Sequence, residues 1–128
     1  MPIKPENKDK YPANWKEIRE RIKNRASNSC EWCRVKNYAV GYRDDKGYFH
    51  EINLPQLSHK KARKICDIKN KTEYYDIKWI VIVCTVAHLD HNPENNNDNN
   101  LAFLCQRCHN RYDREHRNQT RIRSKKQL

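Results

Sequence analysis

Two Cys-x-x-Cys pairs, Cys30 with Cys33 and Cys105 with Cys108, restrict the fold of this sequence more than any other feature. Each pair can present two thiolates to one metal ion, so the two pairs together can build a closed tetrahedral site of the structural zinc type. Two disulfides are the alternative, and a reducing compartment disfavours them. A redox dithiol needs one pair in a thioredoxin-like pattern, which the sequence lacks. We therefore expect structural Zn²⁺ on all four cysteines.

The wide spacing of the two pairs gives this site an architectural role. An ion shared by Cys30 and Cys108 closes most of the chain into one loop, and metal binding contributes directly to the free energy of folding. We expect removal of the ion to unfold the domain. The remaining cysteines, Cys66 and Cys84, stand outside any pair and are expected to be small buried hydrophobic side chains.

Composition narrows the class of protein. The chain has 128 residues, of which 36% are hydrophobic, which suits one small domain but not a large enzyme core. No run approaches the roughly 18 apolar residues of a membrane helix, and the first residues lack the apolar segment of a secretory signal. We expect one intracellular, cytoplasmic domain without membrane association, rather than a transmembrane protein or a secreted disulfide-rich miniprotein.

Positive charge points to the partner. The sequence has 27 Lys and Arg against 16 Asp and Glu, and its formal net charge is +11. Such an excess favours phosphate backbones, because each neutralised phosphate releases condensed counterions. We expect a nucleic acid, and DNA rather than RNA because no RNA-binding motif is visible.

The N-terminal part predicts an arm followed by a helix. Residues 1–13 contain three prolines and several charges, which is typical of a flexible arm. Asn14 and Glu17 form a capping-box pattern around a helix start at Trp15, and the helix is expected to end near residues 27–28. Its inward stripe consists of Trp15, Ile18 and Ile22.

The middle of the chain predicts a small α/β segment. Residues 38–52 have the pattern strand, turn, strand, and residues 57–71 form a basic helix that begins near Ser58. The inward side of this helix is expected to carry Ala62, Ile65 and Ile68. A solvated face and a contact with DNA phosphates are equally favoured for its cations, which are Lys60, Lys61, Arg63 and Lys64.

The C-terminal half begins with the strongest strand signal. Residues 79–87 form a nearly continuous β-branched run, suited to one strand buried on both faces. A polar turn over residues 92–100 follows, then a short strand over residues 101–104. The chain is expected to be helical from His109 onward, and residues 117–128 form a basic tail.

An ordered set of motifs follows this strand. Its members are Val86-Ala87-His88-Leu89-Asp90, Asn95-Asn96, Asn100-Leu101 and Leu104-Cys105-Gln106-Arg107-Cys108-His109. The set resembles the zinc-stapled branch of the HNH endonucleases, the ββα-metal nucleases, over roughly residues 84–116 and the first cysteine pair. The resemblance implies an α+β fold: an HNH core within a domain of residues 14–116, with an N-terminal helix and a basic insert at about residues 34–83.

The resemblance also implies roles for individual residues. His88 falls at the general base, a role that suits an imidazole because its ordinary pKa lies near 6.5. Asn100 falls at the amide that holds the loop and orients the base. His109 falls at a ligand of the catalytic divalent ion, Mg²⁺ or a similar ion. Asp113 lies one helical turn later, where the family commonly places a second ligand.

One position departs from the family pattern. Ala87 stands where the family usually has an Asp or His metal ligand. Asp90 or His91 could supply the missing ligand, and a rival alignment makes Asp90 the ligand and His91 the base. The intervals to the asparagines and to Cys105 favour His88 as the base. Strand alternation would place His88 and Asp90 on one face and His91 on the other.

These expectations combine into a metal-dependent HNH endonuclease that hydrolyses DNA phosphodiester bonds. The basic helix and the cations Arg111 and Arg114 are expected to contact phosphates, which would position the duplex without reading its sequence. A bacteriophage, a restriction system or a mobile element could encode such a nuclease. The alternatives are a zinc-stapled nucleic-acid-binding module that has lost catalysis, suggested by Ala87, and a protein-interaction domain of a genetic or viral assembly.

Overall fold

The structure, a computed structural model, describes residues 11–72 and 77–126, with side chains up to residue 118. Most of the predicted arm and the last two residues of the predicted tail lie outside these ranges. The described part is a small α+β fold with three helices and two antiparallel sheets. In chain order its elements are α1 (Trp15–Arg25), β1 (Val40–Arg43), β2 (Phe49–Glu51), α2 (His59–Thr72), β3 (Ile80–Val81), β4 (Cys84–His88), β5 (Leu101–Cys105) and α3 (Gln106–Lys126).

The two-stranded sheet of β4 and β5 forms the centre of the larger core. The strands are antiparallel, with Cys84 opposite Cys105 and His88 opposite Leu101. All five residues of β5 are buried, because α1 packs on both strands and α3, which follows β5 directly, contacts them as well. Ile22 of α1 and Leu104 of β5 are both fully buried in this core. The order strand, loop, strand, helix therefore places the 89–100 loop and α3 side by side.

A second, smaller core supports the three-stranded sheet, whose strand order is β2-β1-β3. Val40, Ala62, Cys66 and Val81 form this core between α2 and the sheet. Gly41 is required in β1, because a Cβ there would lie 2.2 Å from the backbone oxygen of His50. This unit contains the small α/β segment that the sequence predicts, with two strands within residues 38–52 and a helix that begins beside Ser58.

The prediction of one continuous strand over residues 79–87 is wrong. β3 pairs with β1, whereas β4 pairs with β5 in the other sheet. The buried side chain of Asn37 lies at the crossing point, where its Oδ1 accepts a hydrogen bond from the Cys84 backbone N–H at 2.8 Å. The apolar run is thus shared between two cores, which accounts for its nearly uninterrupted hydrophobic character.

Helix α1 begins at Trp15 as predicted, but its capping and its last residue differ from the prediction. Asn14 makes no side-chain capping bond, so the capping box does not form. The helix ends at Arg25, because Ser27 and Asn28 adopt left-handed φ values of 54° and 55°. The inward positions are confirmed for Ile18 and Ile22, which are buried, while Trp15 is half-buried beside the core.

Helices α2 and α3 also correct details of the prediction. The Ser58 hydroxyl caps α2 by accepting a hydrogen bond from the Lys61 backbone N–H at 3.2 Å. Ala62 is buried as expected, but Ile68 is 52% exposed and does not face the core. Helix α3 begins at Gln106 rather than His109, and residues 117–126 continue it. No helix in the described ranges combines the length and the apolar composition that a membrane crossing requires.

Candidate functional site

The sulfur atoms of four cysteines lie close together. Two of these cysteines belong to the loop that follows α1, and the other two lie at the junction of β5 and α3. The Sγ atoms of Cys30, Cys33, Cys105 and Cys108 all lie within 4.8 Å of one another. The sulfurs of Cys33 and Cys105 are 3.6 Å apart. Zinc bonds of about 2.3 Å in a tetrahedron separate two sulfurs by roughly 3.8 Å, so the group could hold one structural ion such as zinc.

Local backbone geometry positions the first cysteine pair. Arg34 adopts a left-handed φ of 68°, which turns the chain sharply after Cys33. The Arg34 N–H donates to the Cys30 carbonyl, and the Cys30 N–H donates to the Val35 carbonyl, both at 2.9 Å. These bonds close the knuckle that presents Cys30 and Cys33 on the same side.

Glu31 joins the first knuckle to β5, the strand that leads into the second knuckle at Cys105 and Cys108. The sequence patterns do not predict this role. Its backbone N–H donates to the Phe103 carbonyl at 2.8 Å, and its carboxylate accepts the Phe103 N–H at 3.0 Å. The same carboxylate oxygen accepts a hydrogen bond from Arg25 at 2.7 Å. The bonds fix the first knuckle on β5, which leads directly into the second. A charged residue inside a Cys-x-x-Cys pair gives no sequence signal for such a role.

The electrostatics of the thiols are uneven. Burial favours the neutral Cys30 thiol, but the backbone N–H groups of Cys33, Cys105 and Trp32 outweigh it and lower the pKa of Cys30 to about 7. Burial raises the pKa of Cys33 and, together with the neighbouring Cys105, that of Cys108. A cation would stabilise the thiolate form of all such groups.

The two remaining cysteines lie outside this group. Cys66 and Cys84 are buried, and burial raises the pKa of both thiols. Cys66 donates to the Trp79 carbonyl at 3.1 Å within the smaller core. Their prediction as small buried hydrophobic side chains is confirmed.

A cavity of about 560 Å³ lies between α1, β4, the 89–100 loop and α3. Four of the predicted site residues line it: His88, His91, His109 and Asp113. The structure therefore brings together the proposed base and three of the four candidate ligands of the catalytic ion. Asp90, the fourth, does not line this cavity.

His88 is held from two directions at the end of β4. Its Nε2 lies 3.0 Å from Oδ1 of Asn96. The Asn96 amide nitrogen donates to the Pro93 carbonyl at 3.2 Å, so Oδ1 is the acceptor and His88 Nε2 carries the proton. Trp15 stacks on the imidazole with the ring centroids 5.1 Å apart and the planes at 18°. The Nδ1 lone pair is left available to accept a proton.

His91, Asp113 and His109 form a chain of contacts. The Nε2 atoms of His91 and His109 lie 3.1 Å and 3.2 Å from opposite carboxylate oxygens of Asp113. Burial lowers the pKa of His109, and the nearby Asp113 carboxylate opposes that effect. On the other side His91 stacks on His116, with the ring centroids 3.8 Å apart. The imidazoles of His91 and His109 and the carboxylate of Asp113 thus form a connected set of potential metal ligands.

The expected alternation of His88, Asp90 and His91 along a strand is wrong, because β4 ends at His88. The chain turns there, with the His91 N–H donating to the His88 carbonyl at 3.0 Å and His91 at a φ of 60°. This turn carries His91 back into the cavity and leaves Asp90 outside. A pattern of strand periodicity contains no information about such a turn.

Asp90 and Asn100 organise the loop instead of lining the cavity. Asp90 accepts hydrogen bonds from the amides of Asn95 and Asn100 at 2.8 Å and 2.9 Å and from the Asn92 backbone N–H. The bond from Asn95, then those from Asn92 and Asn100, lower the pKa of Asp90. Asn100 Oδ1 accepts the Asp90 backbone N–H at 3.0 Å. Asn100 holds the loop, but the amide that contacts His88 is that of Asn96.

The cations that sequence analysis selected for DNA contact are all exposed, but none of them lines the cavity. They are Lys60, Lys61, Arg63 and Lys64 on α2 and Arg111 and Arg114 on α3. The cavity cations belong to α1 and are Lys16, Arg19 and Lys23. The sequence shows these residues only as the polar side of an amphipathic helix.

Two groups of side chains thus stand out in the described structure. The four cysteines are the only His, Cys, Asp or Glu ligand group in residues 11–72 and 77–118 that is already compact enough for one ion. His88 and the His91–Asp113–His109 chain share the adjacent cavity. No family model, curated protein or solved structure matches the chain.

Proposed function

We propose that this chain is a zinc-stapled endonuclease of the HNH type that hydrolyses phosphodiester bonds in DNA. The observation that carries the proposal is that an oriented imidazole, His88, shares one cavity with the connected donors His91, Asp113 and His109. The cavity lies where a strand, a loop, a second strand and a helix follow one another. The family resemblance of these segments and the net charge of +11 also support the proposal.

His88 is the proposed general base. Because its Nε2–H donates to Asn96, Nδ1 is the atom that would take a proton from the attacking water. Stacking on Trp15 restricts rotation of the ring, so that the lone pair keeps its direction. The leaving oxygen develops negative charge as its bond to phosphorus breaks. A positive charge from a group other than His88 is needed to stabilise it.

A divalent ion held by His91, His109 and Asp113 would supply that charge and polarise the phosphate. Two imidazoles and a carboxylate form a donor set that binds first-row divalent ions such as Mn²⁺ or Ni²⁺, and Mg²⁺ through the carboxylate. Binding would replace the hydrogen bond between His91 and Asp113 and the close contact between His109 and Asp113. Ala87 lines the cavity wall without an atom that could bind a metal, and His91, which lines the same cavity, would supply the ligand in its place.

The proposal extends to the setting of the protein. The zinc site on four thiolates fits a reducing cytoplasm, where thiols remain available to the metal. A bacteriophage or another virus whose nuclease acts in the host cell is a proposed origin, and the resemblance alone supports it. Contacts of α2 and α3 cations with phosphates also remain predictions.

Supercoiled-plasmid nicking tests the proposal. Zinc-loaded wild type should nick the plasmid with Mg²⁺, Mn²⁺ or Ni²⁺ and not in brief EDTA. His88→Ala should lower the rate about 100-fold or more, since a general base contributes roughly that factor. His50→Ala is the matched control, because His50 stacks on Tyr42 and neither residue lines the cavity. Intact plasmid after wild-type treatment with all three ions would overturn the proposal.

A DNA-binding module without catalysis is the second candidate. Two observations favour it: Ala87 offers no ligand, and the cysteines are the only compact ligand group in the described ranges. It predicts salt-dependent DNA binding by wild type, no nicking with any divalent ion, and no change of either result in His88→Ala. The same plasmid and binding measurements therefore separate the two candidates.

A further inference from the structure

One side of α1 carries three cationic side chains that face the cavity and form no ion pair with a carboxylate of the described residues. Lys16, Arg19 and Lys23 follow the spacing i, i+3, i+7, which places them in one stripe along the helix. All three line the cavity that contains His88 and Asp113. Lys16 and Arg19 are exposed and Lys23 is half-buried.

These three cations contrast with the two arginines on the opposite flank of α1. Arg21 pairs with Asp98 at 2.8 Å, and Arg25 binds Glu31 and the Leu101 carbonyl, each at 2.7 Å. Those bonds fasten α1 to the 89–100 loop and to the first knuckle. Because these bonds already hold α1 against the rest of the fold, the stripe of Lys16, Arg19 and Lys23 is not needed to keep the helix in position.

No carboxylate in the described ranges forms an ion pair with Lys16, Arg19 or Lys23. Glu20 lies on the same wall and is the one carboxylate that α1 contributes to the cavity. Three unpaired cations against one anion leave this wall positive. Unpaired cations beside a cavity attract an anionic ligand, and a nucleic-acid strand offers one phosphate after another along its length.

We infer that the α1 stripe of Lys16, Arg19 and Lys23 binds the phosphate backbone of the DNA at the cavity and so sets the DNA against His88. The inference rests on the proposed function, whose substrate-binding wall it identifies. It assigns the main phosphate contact to α1 rather than to α2. Trp15 lies on the same helix and stacks on His88, so the phosphate-binding stripe and the support of the base belong to one rigid element.

Two variants of equal charge change test the inference. The α1 variant is Lys16→Gln/Arg19→Gln/Lys23→Gln, and the rival α2 variant is Lys60→Gln/Lys61→Gln/Lys64→Gln. Both are made in zinc-loaded His88→Ala protein, so that binding is measured without cleavage. The probe is a fluorescent DNA duplex, and the readout is its anisotropy over a range of salt concentrations.

We expect the α1 variant to weaken the Kd roughly tenfold or more and to reduce the salt slope of log K by about 2 to 3, since three contacts are lost. The α2 variant should weaken binding several-fold less. Equal losses, or a larger loss in the α2 variant, would overturn the inference. If the α1 variant fails to retain zinc, the single Arg19→Glu change at an exposed position gives the same comparison with Lys64→Glu.

Plasmid nicking by protein with His88 restored separates this inference from the proposed function. If wild type nicks the plasmid and the α1 and α2 variants lose equal DNA affinity, the proposed nuclease is supported and the role of α1 is overturned. If the α1 variant alone loses DNA affinity and wild type does not nick the plasmid, the phosphate-binding stripe is supported and the proposed nuclease activity is overturned. Wild type that binds no duplex overturns both.

Discussion

The Nε2 atom of His88 lies 3.0 Å from the side-chain oxygen of Asn96. This contact determines which nitrogen of the proposed base is free, because the Asn96 amide nitrogen is already bound to the Pro93 carbonyl. The asparagine that sequence analysis selected, Asn100, is engaged with Asp90 and the Asn95 carbonyl. Orientation of the base and stabilisation of the loop are therefore divided between two asparagines.

We predict that Asn96→Leu lowers kcat for plasmid nicking about 10- to 100-fold with little change in DNA affinity, because His88 loses its preferred tautomer and orientation. Asn96→Asp should retain more activity, since a carboxylate can still accept the Nε2 proton. The measurement is single-turnover nicking beside duplex anisotropy. Asn99→Leu, at an exposed position of the same loop, is the control. Equal kcat in Asn96→Leu and wild type would remove Asn96 from this role.

The second prediction separates the two candidates for the missing ligand. His91→Ala should lower the affinity for Mn²⁺ or Ni²⁺ by tenfold or more, as loss of one of three protein ligands implies. Asp90→Ala should lower the melting temperature by releasing the loop, yet leave metal affinity close to that of wild type. Isothermal titration of zinc-loaded protein with Mn²⁺ measures both variants. A selective loss of affinity in Asp90→Ala would restore Asp90 as the ligand.

The third prediction concerns the structural ion. Native mass spectrometry of the wild type should show one zinc per chain, and prolonged chelation should abolish the cooperative unfolding transition, because structural zinc contributes on the order of 10 kcal/mol to folding. Cys105→Ser should bind less zinc and unfold. Cys66→Ala is the control, since Cys66 is equally buried but lies outside the ligand group. A stable fold after complete zinc removal would contradict the prediction.

The fourth prediction concerns Asn37, which is 1% exposed. Its side chain accepts the Cys84 N–H and donates to the Asn28 side chain at 2.9 Å. Asn37→Ala leaves the buried Cys84 N–H and the half-buried Asn28 side-chain oxygen without their bonds, and we expect a loss of about 3 kcal/mol in the free energy of unfolding. Urea unfolding at a fixed zinc concentration measures it. Asn53→Ala, at an exposed position, should change stability by less than about 0.5 kcal/mol.

The fifth prediction follows from the environment of His109. Burial lowers its pKa below 6.5, so neutral His109 contributes stability that is present above pH 6.5 and is lost as the pH falls through its folded pKa. Because Asp113 partly opposes this shift, Asp113→Asn should lower the pKa further. NMR titration of the imidazoles in zinc-loaded protein without a second metal measures the change. A rise of the His109 pKa in Asp113→Asn would contradict this explanation.

Sequence patterns predicted the features that depend on short-range chemistry. The two Cys-x-x-Cys pairs gave the ligand group, and the spacing of Ile18 and Ile22 gave the buried face of α1. The position of Ser58 gave the start of α2. Each of these follows from residue types a few positions apart, or from thiols that can serve one ion.

The features that sequence patterns missed depend on contacts between distant segments. The apolar run over residues 79–87 is divided between two sheets where Asn37 binds the Cys84 backbone. His91 enters the cavity through a turn with a left-handed residue, although strand periodicity placed it on the other side. The stacking of Trp15 on His88 joins positions from opposite parts of the chain. Periodicity within one segment does not encode such pairings.

The distance along the chain between the two knuckles also governs the order of events during biosynthesis. Cys30 and Cys33 leave the ribosome well before Cys105 and Cys108, so the nascent polypeptide carries half of a metal site until residue 108 has emerged. During that interval the first pair can close on itself as a disulfide, which would exclude the ion. We therefore expect that production or refolding of the protein needs reductant and zinc together, and that the four-cysteine group can form only after translation has passed β5.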